Sequence, residues 1–257
     1  MIVAIFGDVH GNLSGMYNLC QEWTEKAKRP IDLVLQTGDM GLFRSPEELD
    51  KTARKRLAAG DRSQLDAANY FTGERMAPIE TWFCHGNHDN FPLLAAHENQ
   101  AVDPGERLIF LGPGALREFR KGTETLRVAA LGGIEYRFGK HPLPSPERIQ
   151  KYLHPTSAAE LMRTKPPMDI LLTHDAPFNK GLRTRFPTGS QRLTQLIEML
   201  QPRFAFYGHY DDPPEPFRLG ATLCVGMNQR TARHIPERDG AMGILDTERG
   251  TFTFVSS

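Results

Sequence analysis

No run of apolar residues in this chain approaches the ~20 needed to cross a bilayer. The opening Met1-Ile2-Val3-Ala4-Ile5-Phe6 lacks the basic start and longer apolar stretch of a secretory leader. Cysteine is scarce: Cys20, Cys84 and Cys224 are too few for a disulfide framework, and none sits in a Cys-x-x-Cys pair. A reducing, cytoplasmic setting is the simpler expectation. Neither sign of charge is in excess, 31 Lys+Arg against 31 Asp+Glu, which excludes a long polybasic or polyacidic tail. There is no repeat at a fixed period, no low-complexity tract, and no P-loop, nucleophile elbow or Gly-x-Gly-x-x-Gly fingerprint. What is present is ordinary globular composition, 39% hydrophobic and 24% charged in 257 residues, long enough to bury a sizeable core. No convincing domain boundary appears, so one domain over 1–257 is expected.

Short apolar runs recur at 2–6, 32–36, 79–84, 108–111, 126–131, 168–172 and 203–207. Each is rich in Ile, Val, Leu or Phe and bounded by Gly or polar residues, so they read as buried strands. Met16, Leu19, Cys20, Trp23 and Ala27 repeat at helical spacing, as do Leu193, Leu196, Ile197 and Leu200. Ser45-Pro46-Glu47-Glu48 reads as a capping box opening a helix, within a helical insertion over 45–75. The basic run 51–56 on that helix reads as a solvated face, with Glu47/Lys51 and Asp50/Arg54 as i,i+4 pairs. The second half adds hairpin patterns at 116–131, 217–225 and 243–255. The fold class expected is α/β.

The chemistry-bearing residues sit where strands end. Gly7-Asp8-Val9-His10, Gly38-Asp39, His85-Gly86-Asn87-His88-Asp89, Thr173-His174-Asp175 and Gly208-His209-Tyr210-Asp211 each follow an apolar run. In open α/β sheets ligands bind beyond the carboxyl ends of strands, so the five clusters are expected along one edge. Carboxylates, imidazoles and an amide without a thiolate motif suit Mn, Fe or Zn, and suit a pair of ions better than one structural zinc. A two-metal site of this kind activates water and neutralises a phosphoryl oxygen. His85, His97, His141, His154 and His234 have no partner motif and read as structural or surface residues.

The ordered string Gly-Asp-Val-His, Gly-Asp, Gly-Asn-His-Asp, Thr-His and Gly-His-Tyr-Asp resembles the calcineurin-like metallophosphoesterase superfamily. That resemblance implies a four-layer sandwich, two packed mixed sheets flanked by helices, with a dinuclear metal site. It implies that Asp8 and His10 bind one metal, that Asp39 bridges, and that Asn87, His174 and His209 bind the second, with His88 as the catalytic residue facing the phosphate. The connecting segments, among them Asn69-Tyr-Phe-Thr-Gly-Glu-Arg-Met-Ala-Pro78 and Leu131-Gly-Gly-Ile-Glu135, are similar to RNA lariat debranching enzymes, which cut 2′,5′-linked branched RNA. Those enzymes carry a substrate-gripping insertion where 136–157 stands here. Asp8 occupies a position that is often Cys in them, and Asp211 stands where a second His is usual. Asp211 either coordinates through oxygen or leaves the first metal an open water position.

The expected activity is therefore a dinuclear-metal phosphodiesterase using metal-activated water, with branched RNA or another nucleic acid as substrate class and no membrane partner. A small-molecule phosphoesterase, either a cyclic-nucleotide phosphodiesterase or a phosphomonoesterase, is the alternative, and a catalytically inactive binding scaffold a third reading. Lys180, Arg183, Arg185 and Arg192 follow His174 with no intervening acid after Asp175. Arg183 and Arg185 are candidate phosphate contacts, against a solvated loop as the alternative. Tyr136 and Phe138, with Arg137 and Lys140, suit either base stacking or packing.

Overall fold

The computed structural model describes residues 1–136, 144–178, 189–210, 215–228 and 241–255. Its strands are β1 (Ile2–Phe6), β2 (Leu33–Gln36), β3 (Thr81–Phe83), β4 (Leu108–Phe110), β5 (Leu116–Lys121), β6 (Glu124–Leu131), β7 (Ile170–Thr173), β8 (Phe204–Tyr207), β9 (Phe217–Leu219), β10 (Thr222–Gly226), β11 (Met242–Asp246) and β12 (Thr251–Phe254). Its helices are α1 (Leu13–Ala27), α2 (Lys51–Ala58), α3 (Ala68–Phe71), α4 (Phe91–Ala96), α5 (Pro146–Ile149), α6 (Pro155–Thr164) and α7 (Gln191–Leu200). The strands form two six-stranded sheets, ordered β12-β11-β1-β2-β3-β4 and β5-β6-β7-β8-β10-β9. Each has a parallel centre, β1 to β4 in one and β6, β7, β8 and β10 in the other. Each is completed by antiparallel hairpin strands.

Period-two alternation along the strands builds four layers. Val3, Ile5, Leu33, Leu35 and Trp82 of the first sheet meet Val128, Ala130, Leu172, Phe204 and Phe206 of the second in one inter-sheet core. The opposite face of the first sheet, with Ala4, Phe6 and Phe83, packs on Leu13, Met16 and Cys20 of α1 and on Leu93 and Leu94 of α4. The opposite face of the second, with Ala129, Leu171, Ala205 and Tyr207, packs on Leu161 of α6 and on Leu193, Leu196 and Ile197 of α7. All three cysteines are buried, one in each core. Among the described residues no helix is long and apolar enough to cross a membrane.

One local expectation changes. The helix expected from Ser45 begins at Lys51, capped by the Asp50 carboxylate accepting from the Ala53 N–H at 2.7 Å. Ser45 to Glu48 form a turn instead. Glu48 spends its carboxylate on Arg44 and on the Asn90 amide, so it does not reach back to cap a helix.

Candidate metal centre

The register of the strands sets the centre. Phe6 pairs with Gln36 and Gln36 with Phe83, so β1, β2 and β3 end level. In the second sheet Leu172 pairs with Phe206, so β7 and β8 end level too. The five clusters gather between the facing ends of two sheets rather than along one sheet's edge, as a single-sheet reading of the strand ends would place them. The buried Gln36 amide donates to the Gly7 carbonyl and accepts from the Gly38 N–H, locking the first two loops together. The Thr37 carbonyl accepts from His174 Nδ1 at 2.8 Å, which ties one sheet to the other.

These loops approach one another more closely than ordinary residues permit. Gly38 adopts φ +96°, and a Cβ there would lie 2.7 Å from His174 Nδ1 and 2.8 Å from the Gly86 nitrogen. A Cβ on Gly86 would collide with the Asp39 carboxylate. Three candidate ligands themselves stand in the left-handed region, His10 at φ 48°, Asp39 at 55° and His209 at 68°. Such conformations cost about 1–3 kcal/mol each and persist where surrounding structure over-determines them, often at functional sites.

The donor atoms converge. Asp8, Asp39 and His174 each offer an atom within 4.8 Å of the others'. Asp39 faces two ways: Oδ2 lies 3.9 Å from His10 Nε2, while Oδ1 lies 3.6 Å from His174 Nε2 and accepts from the His88 N–H at 2.7 Å. Asp8 Oδ2 is 3.9 Å from the same His10 nitrogen, and its Oδ1 accepts from the His209 N–H at 3.0 Å. Asn87 Oδ1 lies 3.1 Å from His174 Nε2, and the His209 ring packs edge-on against His174 at 5.1 Å. Imidazole and carboxylate 3.9 Å apart are too far to hydrogen-bond, yet both border the same small space. Because His174 Nδ1 donates to a carbonyl, its Nε2 is the nitrogen left for a cation, an arrangement usual for metal-ligating histidines.

Electrostatics points the same way. Burial raises the Asp8 pKa, and Asp39 adds to the rise although His174 opposes it. Burial also acts upward on Asp39, but His174, His10 and His88 together hold its carboxyl well below the usual range. Burial lowers His10 to about 4, and burial with the neighbouring His174 lowers His209 to about 4. Both imidazoles are thus neutral and able to ligate at neutral pH. Among the described residues the ion-pair partners of Asp8 and Asp39 are imidazoles. Two buried carboxylates so placed fit one or more divalent cations.

His88 stands at the rim, 28% exposed, its ring 6.1 Å from that of His10. Its Nδ1 lies 2.6 Å from Asp50 Oδ2, and this bond raises its pKa. The carboxylate that sets His88 is therefore Asp50, at the start of α2, and not the neighbouring Asp89 or Asp8. Asp89 instead accepts from the N–H groups of Asp39, Gly41 and Gly86, and burial, with Asp39 nearby, raises its pKa to about 6. Asp175 likewise accepts from the Glu135 N–H and the Tyr210 hydroxyl. Two cations also act here. Arg56, on the run read as a solvated face, is close enough for its charge to lower the His10 pKa, and Lys151 does the same to His88. No sequence signal separates Arg56 from its neighbours on α2.

Asp8, His10, Asp39, Asn87, His88, His174 and His209 come to one place. Asp211, Arg183 and Arg185 lie outside the described residues, as do Lys180, Arg137, Phe138, Lys140, His141 and His234. Arg192 lies 3.9 Å from Glu135. His97 bonds the Leu93 carbonyl and His154 caps α6. Burial lowers His85 to about 4.

A family model described as calcineurin-like phosphoesterase matches residues 1–211. The chain is similar to the lariat debranching enzyme of Arabidopsis thaliana, 27% identical over 236 residues covering 81% of this chain and 54% of that protein. To the lariat debranching enzyme of Homo sapiens it is 26% identical, with 81% and 42% covered. The chain spans about half the length of the curated relatives it matches. Among solved structures it is similar to the TT1561 protein of Thermus thermophilus, with TM-score 0.56 at 15% identity, covering 99% and 98% of the two chains. A dimetal phosphatase from Danio rerio gives TM-score 0.53 at 14% identity, covering 95% and 91%. These structural likenesses are of fold.

Proposed function

The chain belongs to the calcineurin-like phosphoesterase family, and on that premise we propose that it is a metal-dependent phosphodiesterase acting on branched, 2′,5′-linked RNA. The observation that carries the chemistry is Asp39, one of whose oxygens lies near His10 and the other near His174, with Asp8 close to both imidazoles. Asp8, His10 and Asp39 would hold one divalent cation, and Asp39, Asn87, His174 and His209 a second, with Asp211 a further ligand of the first. Oxygen and imidazole donors suit Mn, Fe or Zn. When bound, the ions supply Lewis-acid stabilisation of phosphoryl charge and a water acidic enough to attack near neutral pH.

The chain's own residues supply the rest. Asp50 accepts from the His88 Nδ1–H, so a neutral ring presents a bare Nε2 and the imidazolium form carries the proton there. His88 then protonates the leaving oxygen of the ribose, which is a poor leaving group unless a proton reaches it. The raised His88 pKa keeps more of that proton in place near neutrality. Arg56 adds positive charge near His10 and Lys151 near His88, and Arg183 and Arg185 are further candidates for phosphate contact. The branched-RNA assignment rests on the resemblance to lariat debranching enzymes.

A hydrolysis panel with Mn²⁺ tests the reading. It compares a 2′,5′-branched oligonucleotide, its linear 3′,5′ isomer, cyclic nucleotides, an aryl phosphodiester and an aryl phosphomonoester. Cleavage of the branched bond well above the linear isomer is expected. Preference for cyclic nucleotides or a monoester would replace RNA with a small-molecule substrate, and no hydrolysis with any metal would leave a binding scaffold.

A further inference from the structure

Residues 51–62 carry Lys51, Arg54, Lys55, Arg56 and Arg62 against a single acid, Asp61. A solvated helix face is ordinarily neutralised by i,i+4 partners, and Glu47/Lys51 and Asp50/Arg54 have that spacing. Neither pair forms, because the acids are engaged elsewhere. Glu47 turns to the Ser45 hydroxyl, Asp50 gives one oxygen to the Ala53 N–H and the other to His88, and Arg54 donates to the Glu47 carbonyl. Glu48 is taken by Arg44 and Asn90, and Asp61 by Ser63. Lys51 and Lys55 are exposed, and among the described residues neither has an ion-pair partner. The other side of α2 is fixed: Ala53 and Leu57 pack with Phe43, Leu49 and Leu65 in a small core of their own. Lys51 and Lys55, one turn apart, therefore stand in a row facing away from that core.

We propose that α2 is a docking surface for the ribose-phosphate backbone of an RNA strand that continues past the phosphodiester at the candidate metal centre, with Lys51 and Lys55 contacting its phosphates. The proposal rests on the phosphodiesterase reading for the place of the scissile phosphate and on the uncompensated charge of α2 for the strand beyond it. Both ends of the helix border the centre. Asp50, its N-cap, bonds His88 at 2.6 Å, and Arg56, in its last turn, is near enough for its charge to act on His10. The helix thus runs along the rim, and a strand leaving the centre there passes the row of lysines. The surface suits a phosphate backbone better than other anionic partners. An interfacial helix needs an apolar face to enter a lipid surface, and that of α2 is already spent on its own core. A protein interface is built on buried aromatic or apolar anchors, and no large apolar side chain of α2 is exposed. Charge alone is what a sequence-independent phosphate contact uses.

The test uses the full chain and a labelled branched oligonucleotide with arms of about ten nucleotides. Its affinity is followed against salt without added metal, so that it is not cleaved. The double variant Lys51→Gln/Lys55→Gln keeps good helix formers at exposed positions, and a thermal melt checks the fold. Its plot of log affinity against log salt should be shallower by about 1.4, since each phosphate contact to a single strand contributes about 0.7. Binding at low salt should be roughly 10-fold weaker. Lys51→Arg/Lys55→Arg, which keeps the charge, should bind as the unaltered protein does. Lys26→Gln/Lys28→Gln removes as much charge at the far end of α1, about 20 Å from its start beside His10, and should leave the slope as it was. Hydrolysis of an aryl phosphodiester by the unaltered protein with Mn²⁺ involves no RNA and tests the phosphodiesterase reading separately. Absence of RNA binding, an unchanged slope in the Lys51/Lys55 glutamine variant, or an equal change in the Lys26/Lys28 variant would overturn the docking surface. So would loss of binding to phosphatidylserine vesicles with RNA binding intact, which would turn the lysines towards lipid. If the slope falls while the aryl ester is not hydrolysed, the docking surface stands and the phosphodiesterase reading falls; hydrolysis with an unchanged slope gives the reverse.

Discussion

Asp50 shows how one carboxylate does two jobs. Oδ1 caps α2 and Oδ2 holds His88, so the usual alanine variant would confound stability with chemistry. Asn is as good an N-cap as Asp, and Asp50→Asn therefore isolates the bond to His88. Turnover on a ribose leaving group should fall about 10²-fold, the lower end for general acid catalysis, with a much smaller loss on a p-nitrophenyl ester that departs without a proton. Equal losses on both would contradict the proton-holding role. Neither the Asp50 contact nor the reach of Arg56 was legible in the sequence, because their i,i+4 neighbours look like any solvated helix face. The seven residues at strand ends were legible, since position after a strand is itself a structural coordinate. Burial raises Cys84 well above an ordinary thiol and Cys224 to about 12. At about pH 8 neither is a thiolate, so alkylation of the native protein should be negligible and should become rapid for all three cysteines only in denaturant.

At the scale of loops and strands, the glycines between strand and ligand keep the centre compact. Gly38→Ala forces a side chain into a φ of +96° and against His174; it should destabilise the fold by about 1–3 kcal/mol, seen as a lower urea midpoint. The same change at Gly60, whose φ is +92° but whose Cβ would meet nothing, separates backbone strain from crowding. The central strands were found by the sequence pattern to within a residue or two, because each is a buried apolar run with a hard stop. The start of α2 was missed, because Ser45-Pro46-Glu47-Glu48 has the local chemistry of a cap while Glu48 is drawn away by Arg44 and by Asn90, the second of which lies beyond any local window.

For the whole molecule, the inter-sheet core and the candidate metal centre are coupled, since strands of both sheets end in the same cluster of donors. Phe206, fully buried between the sheets, should cost about 3–5 kcal/mol as Phe206→Ala. Divalent metal should raise the melting temperature, by about 2.7 kcal/mol of stability at a hundredfold excess over Kd, and chelation should reverse it. Asp39→Asn should abolish that response, and a variant still stabilised to the full extent would exclude Asp39 as the shared ligand. That two sheets rather than one supply the candidate ligands was not legible from strand ends alone, because hydrophobic runs do not say which strands pair. The first sheet has a further property. β1, the first strand made, pairs on one side with β2 and on the other with β11, made more than two hundred residues later. During synthesis the emerging chain therefore carries every strand-end motif up to residue 210 while one hydrogen-bonding edge of β1 stands bare. A truncation after residue 215 would freeze that state, with the candidate ligands on two open-edged sheets, since β8 also loses its partner β10, and its expected fate is self-association through the bare edges of β1 and β8, visible as light scattering on expression without the last forty residues or so.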